Sequence, residues 1–110
     1  MRRGDLYRVP HPSRADHKRS RVFVVVGRQI LCDTAEYSTV ICAPVSSSRH
    51  GLGSQVPIGE AEGLRHPSAI HCDGLVSLPK SALTDYVGCL GPQKLAALHV
   101  ALKVALDLLD

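Results

Sequence analysis

The chain has no Trp and a single Phe, Phe23, among its 110 residues. A core built on stacked aromatics is therefore excluded, and Val, Leu, Ile and Ala must supply it. The same scarcity argues against an aromatic platform as the main means of holding nucleic acid. Four cysteines are present, Cys32, Cys42, Cys72 and Cys89, but none stands in a CxxC pair. Three lie in apolar runs, where Cys acts as a small hydrophobe. Neither a zinc site nor a disulfide framework is expected, and no metal or cofactor is called for. Reduced thiols in a cytoplasm are the simplest account. No apolar stretch follows the basic start, so no secretory signal is expected. The longest apolar stretch, Leu95 to Leu109, is broken by His99, Lys103 and Asp107. It falls short of the roughly 20 residues of a membrane span.

Charge is unevenly placed. Residues 1–30 carry Arg2, Arg3, Arg8, Arg14, Lys18, Arg19, Arg21 and Arg28 against only Asp5 and Asp16, in a chain of net charge +3. The remainder is mildly acidic. A polyanionic partner and simple solubility explain such a balance equally well.

The length suits one domain spanning 1–110. Strands are expected at Asp5–Val9 (ended by Pro10), Arg21–Val26, Thr39–Val45 and Gln55–Ile58. Ser68–Cys72 and Leu75–Leu78 read as one bent strand or two, and Asp85–Leu90 as a last short one. The run Val22-Phe23-Val24-Val25-Val26 is continuously apolar, as expected of a strand covered on both faces. Pro57 lacks an amide donor and places its strand at an edge or its ring at a bulge. Residues 10–20 read as an exposed loop, and a short helix is expected near Asp33–Glu36.

Gly91 as N-cap and Pro92 at the first helical position open a helix over about 92–109. Leu95, Leu98, Leu102, Leu106 and Leu109 form one stripe on it. Ala97, Ala101, Val104 and Leu108 form a second. So wide an apolar arc is buried on two sides, by its own sheet and a partner subunit, or by deep insertion into its own domain. Short strands followed by one helix predict a mainly β (α+β) fold, a small barrel over about 4–90 closed by the helix.

Three constellations could carry chemistry. Arg21 opens the second strand, and Ser46 ends the third with Ser47, Ser48 and Arg49 behind it. If these strands pair antiparallel, guanidinium and hydroxyl share a groove suited to phosphate. Arg21 could then stabilise a pentacoordinate phosphorane, while Lys18, Arg19, Ser47, Ser48 and Arg49 bind substrate. The loop histidines His11, His17 and His50 could move protons, a task for which arginine is poor. His71-Cys72-Asp73 reads as structural, since neighbours on a strand point to opposite faces.

In this order, the pieces resemble the MazF/PemK family of toxin endoribonucleases. Arg3-Gly4-Asp5-Leu6-Tyr7 is similar to the family's RGD/E-[VIL]-[YW] opening. Arg21 with Val22-Phe23-Val24-Val25-Val26 is similar to its R-P-x-L-V-[VI] strand, and Ala43-Pro44-Val45-Ser46 to A-P-[IV]-[TS]. Gln55-Val56-Pro57-Ile58 and Leu75 to Leu83 resemble two further segments. The family's proline after the arginine is Val22 here. Its Gln and Arg in D-Q-I-R-T are Gly74 and Val76, which removes one cationic RNA contact. The resemblance implies an SH3-like barrel of the CcdB/MazF type, a homodimer, and metal-independent, sequence-specific cleavage of single-stranded RNA. The 2′-OH would attack to leave a 2′,3′-cyclic phosphate, with Arg21 and Ser46 as the catalytic pair and Asp16 or His17 assisting. It also implies a cognate antitoxin with an acidic, disordered tail. A CcdB-like inhibitor of DNA gyrase acting through the helix, and a weakened RNA-binding homologue, stay open on the residues.

Overall fold

Val24 and Val25, adjacent on the second strand, are both fully buried. Their side chains leave opposite faces of a strand, so this sheet is covered twice. The computed structural model describes residues 1–10 and 20–108. Seven strands form one antiparallel sheet: β1 (Asp5–Pro10), β2 (Ser20–Val25), β3 (Thr39–Ser46), β4 (Gln55–Ile58), β5 (Ser68–His71), β6 (Val76–Pro79) and β7 (Asp85–Cys89). The order is β4-β5-β3-β2-β1-β7, and β6 also pairs with β3. The eight-residue β3 serves two neighbours on one side. Its start pairs with β6 from Thr39 to Cys42, and its end pairs Val45 and Ser46 with Ile70 and Ala69 of β5. Of the two expected forms, one bent strand or two, the chain adopts two strands, parted by a 3-10 turn at Cys72–Gly74.

The sheet curls into a half-barrel around Leu6, Val24, Ala43, Val45, Val56 and Ile70, and α2 (Pro92–Ala105) covers it through Leu98 and Ala101. The opposite face holds a smaller cluster of Tyr7, Val25, Val40, Cys42 and Leu83. Burial pushes the Cys42 thiol up to about 12 and the Cys72 thiol to about 11, so both behave as packing groups. Leu98 is wholly inaccessible at the centre of the helix contact. Leu98→Ala should cost about 2–5 kcal/mol, read as a lowered urea midpoint.

Two glycines hold the curl. After β4 the chain turns through Glu60–Glu62 to Gly63, at φ +94°. A Cβ on Gly63 would overlap the carbonyl oxygen of Val87, and one on Gly88 would overlap that of Glu62. Backbone thus lies directly on backbone where this turn meets β7. At the other end of the sheet β4 is an edge strand, as Pro57 requires. The Lys94 ammonium of α2 donates to the Pro57 carbonyl at 2.5 Å.

Two helices differ from expectation. The short helix is α1 (Gln29–Asp33), upstream of Asp33–Glu36. Its start is held by Gln29, whose side chain accepts from the Arg3 amide and donates to the Met1 carbonyl and Asp33. Its end is closed by Lys80, whose ammonium reaches the Leu31, Cys32 and Thr34 carbonyls. Apart from Asp33, these partners are distant in sequence, so no local pattern announces them. The second helix ends at Ala105, because Asp107 takes a left-handed φ of 55° and the Leu108 amide returns to the Lys103 carbonyl. Leu106 therefore leaves the stripe, and Leu109 lies outside the described residues. Val100 and Val104 are 60% and 52% exposed, so the helix is not sunk into its own domain. No helix among the described residues is long and apolar enough to cross a membrane.

Candidate active site

The register between β2 and β3 positions the central pair. Val22 faces Val45, Phe23 faces Pro44 and Val24 faces Ala43. One step further along the same ladder, Arg21 stands opposite Ser46. Such partners project from one face with Cβ atoms about 4.5–5.5 Å apart. The face is the one that carries Phe23 and Val25, away from α2. Arg21 is exposed and Ser46 is half-buried. Val22, Val24, Ala43 and Val45 fix this register by burying the alternate set of side chains.

Ser46 Oγ accepts the Ser48 amide at 3.1 Å. That bond occupies a lone pair and leaves the hydroxyl proton free to be donated outward. Ser47, Ser48, Arg49 and His50 are all exposed. The His50 amide donates to Gln55 Oε1 at 3.0 Å, which ties this loop to β4. Arg49 lines a hollow of about 390 Å³ with Leu52, Gln55, Pro57 and Ala69. Ser46 pairs with Ala69, and Ala69 with Pro57, so the hollow continues the row that begins at Arg21.

On the other side of Arg21 lies an apolar cleft of about 440 Å³. Val9, Pro10, Phe23, Val76, Leu78 and Ala82 contribute to its lining, with Arg21 as the charged member. Arg21 and Val76 stand out in the sequence, but their assembly with the other residues into one cleft does not. One signal for them was present: Phe23 lies two positions after Arg21 on a strand and so shares its face. Below the cleft, Tyr7 packs edge-on to Tyr86 with ring centroids 5.8 Å apart. Burial, and then the Asp5 carboxylate, raise the Tyr7 phenol above its ordinary value.

Asp16, His17, Lys18 and Arg19, with His11, lie outside the described residues. The segment that carries them leaves from Pro10 and returns at Ser20, a cross-strand pair at the end of the cleft. The basic residues of the first segment do not share one face. Arg8 pairs with Val22 and Val9 with Arg21, so Arg8 and Arg21 leave opposite sides of the sheet. Arg3 Nε donates to the Val26 carbonyl and acts within the fold. His71, Cys72 and Asp73 do not converge on a common point of chemistry. His71 Nδ1 meets the Gln55 amide at 3.4 Å, while Asp73 accepts from Ser54 at 2.5 Å.

Residues 2–106 match the model of the PemK-like, MazF-like toxins of type II toxin–antitoxin systems. The chain belongs to this family. Among MazF-like relatives, the endoribonuclease MazF3 of Mycobacterium tuberculosis is 28% identical over 90 residues, covering 82% of this chain and 85% of the relative. The fold matches that of the M. tuberculosis toxin MazF-mt6 with a TM-score of 0.81 at 24% identity, over 96% of this chain and 99% of the other. It also matches a mycobacterial endoribonuclease solved in complex with its cognate antitoxin, with a TM-score of 0.85 at 21% identity, over 100% and 98%. The MazF-like architecture accounts for the curled sheet with a C-terminal helix.

Proposed function

We propose that this chain is an endoribonuclease toxin that cuts single-stranded RNA at short sequences without a metal ion. The opposition of Arg21 and Ser46 on one face of the sheet, in a MazF-like chain, carries the reading. The 2′-oxygen attacks phosphorus, the bond to the 5′-oxygen breaks, and a 2′,3′-cyclic phosphate and a 5′-hydroxyl result. Arg21 stabilises the extra charge of the phosphorane, since its planar fork keeps its charge throughout. Ser46 donates its free proton to a non-bridging oxygen. A proton must leave the 2′-OH and one must reach the 5′-oxygen, and arginine serves neither end well. Asp16 and His17, on the segment between Pro10 and Ser20, are the groups assigned to that transfer. Lys18, Arg19, Ser47, Ser48 and Arg49 hold flanking phosphates.

The toxin works in the cytoplasm, as a homodimer, and is silenced by an antitoxin whose acidic, disordered tail covers Arg21 and blocks RNA. The exposed apolar face of α2 at Val100 and Val104 supports the dimer, and a relative solved with its cognate antitoxin supports the second partner. The test is incubation of the purified protein with a long RNA in excess EDTA, followed by mapping of the ends. Discrete cuts with cyclic phosphate and 5′-hydroxyl termini are expected. Uncut RNA with and without magnesium would refute the reading, and cutting that needs magnesium would refute its mechanism.

A further inference from the structure

The cleft beside Arg21 has a composition that phosphate binding alone does not explain. Its lining is apolar apart from Arg21, and it contains the chain's single Phe. Phe23 is half-buried, packed from beneath by the Tyr7, Val25, Val40, Cys42 and Leu83 cluster. Its ring is thus held, yet it still faces the cleft. Arg21 and Phe23 are alternate residues of one strand, about 6.7 Å apart along it. The volume of about 440 Å³ lies within the range of small-molecule sites. Val76, of β6, contributes a further apolar wall.

We propose that this cleft takes one nucleobase of the RNA substrate, stacked on Phe23, next to the phosphate held by Arg21. The inference rests on the endoribonuclease reading and names a subsite of it. A flat apolar group beside an anion is what the cleft and its charged rim accommodate together. Ser46, opposite Arg21, adds a hydroxyl donor that suits a phosphate better than an apolar peptide side chain. The walls offer few hydrogen-bonding groups, so this subsite detects a base by stacking and excludes an empty sugar. It does not read a Watson–Crick edge. A single aromatic suffices for this, although it could not serve as an extended platform.

The test uses the RNA sequence around a mapped cut, with a 2′-deoxy sugar at the cut so that binding is measured without cleavage. Abasic sugars are placed in turn on either side of the phosphate. One of the two should weaken binding about tenfold, within the range of a single base–aromatic stack. Phe23→Leu should weaken the intact RNA about as much, and lose nothing more with that abasic RNA. Phe23→Tyr should retain affinity. The abasic RNA needs no variant, so the outcome stands even if Phe23→Leu folds poorly. Equal binding of intact and abasic RNAs overturns the base subsite. If Arg21→Ala still weakens that binding, the RNA reading survives alone. If wild type binds neither RNA, both readings fall. If Phe23→Leu instead weakens only an acidic antitoxin-tail peptide, the cleft is a peptide site and the proposal is wrong.

Discussion

Arg21→Ala should lower the rate of single-stranded RNA cleavage by about 10²–10³-fold, the usual effect of removing one preorganised donor from developing negative charge. Growth arrest on expression should disappear with it. The residue is exposed at the start of β2, so the variant should keep its fold and its denaturation midpoint. Arg21→Lys should recover only part of the rate. An ammonium restores the charge but not the two-point fork that grips a phosphate. Single-turnover rates on one oligonucleotide, measured beside the urea midpoint, separate the two effects. An alanine variant as fast as wild type would take Arg21 out of the chemistry.

The second large effect lies at the closure of the sheet. Gly63→Val should destabilise the chain by about 3 kcal/mol or more, enough to threaten a fold of ordinary stability. Two causes act together. The φ of +94° strains any side chain, and a Cβ would enter the space of the Val87 carbonyl oxygen. Gly88→Ala meets only the second cause, against the Glu62 carbonyl, and should cost less. Gly91, with nothing within 4 Å of a Cβ, is the mild case: Gly91→Ala should cost no more than about 1 kcal/mol, through the N-cap preference alone. Chemical denaturation of the three variants checks the order. If Gly63→Val were as stable as Gly91→Ala, the backbone contact would not be what closes the curl.

What the sequence revealed depended on how local each cause is. The valine run of β2, the proline in β4 and the Gly-Pro opening of α2 each act within a few residues, and those elements stand where expected. The opposition of Arg21 and Ser46 was legible only on the condition that the two strands pair antiparallel, and the register of β2 with β3 meets that condition. The placement of α1 was not, since its end is set by Lys80, more than forty residues away. The stop of α2 was missed for a related reason. The leucine spacing continues past Ala105, but Asp107 turns the backbone left-handed. The cleft escaped notice because it is assembled from β1, β2, β6 and the turn after it. Only the Arg21–Phe23 alternation belongs to one segment.

Two of the sheet's three margins, β4 and β7, bear on how the molecule can assemble; the third is β6, paired only with β3 among the described residues. At β4 a ring replaces the amide of Pro57, and an ammonium already sits on that residue's carbonyl. At β7 the main chain of a tight turn is pressed against Val87 and Gly88. Neither margin is left as an unobstructed template for a neighbouring polypeptide to extend. Fibril growth by edge-to-edge recruitment is therefore hindered at both. Growth at these two margins gives way to contacts through β6 or through broad surfaces, where side chains decide what is accepted.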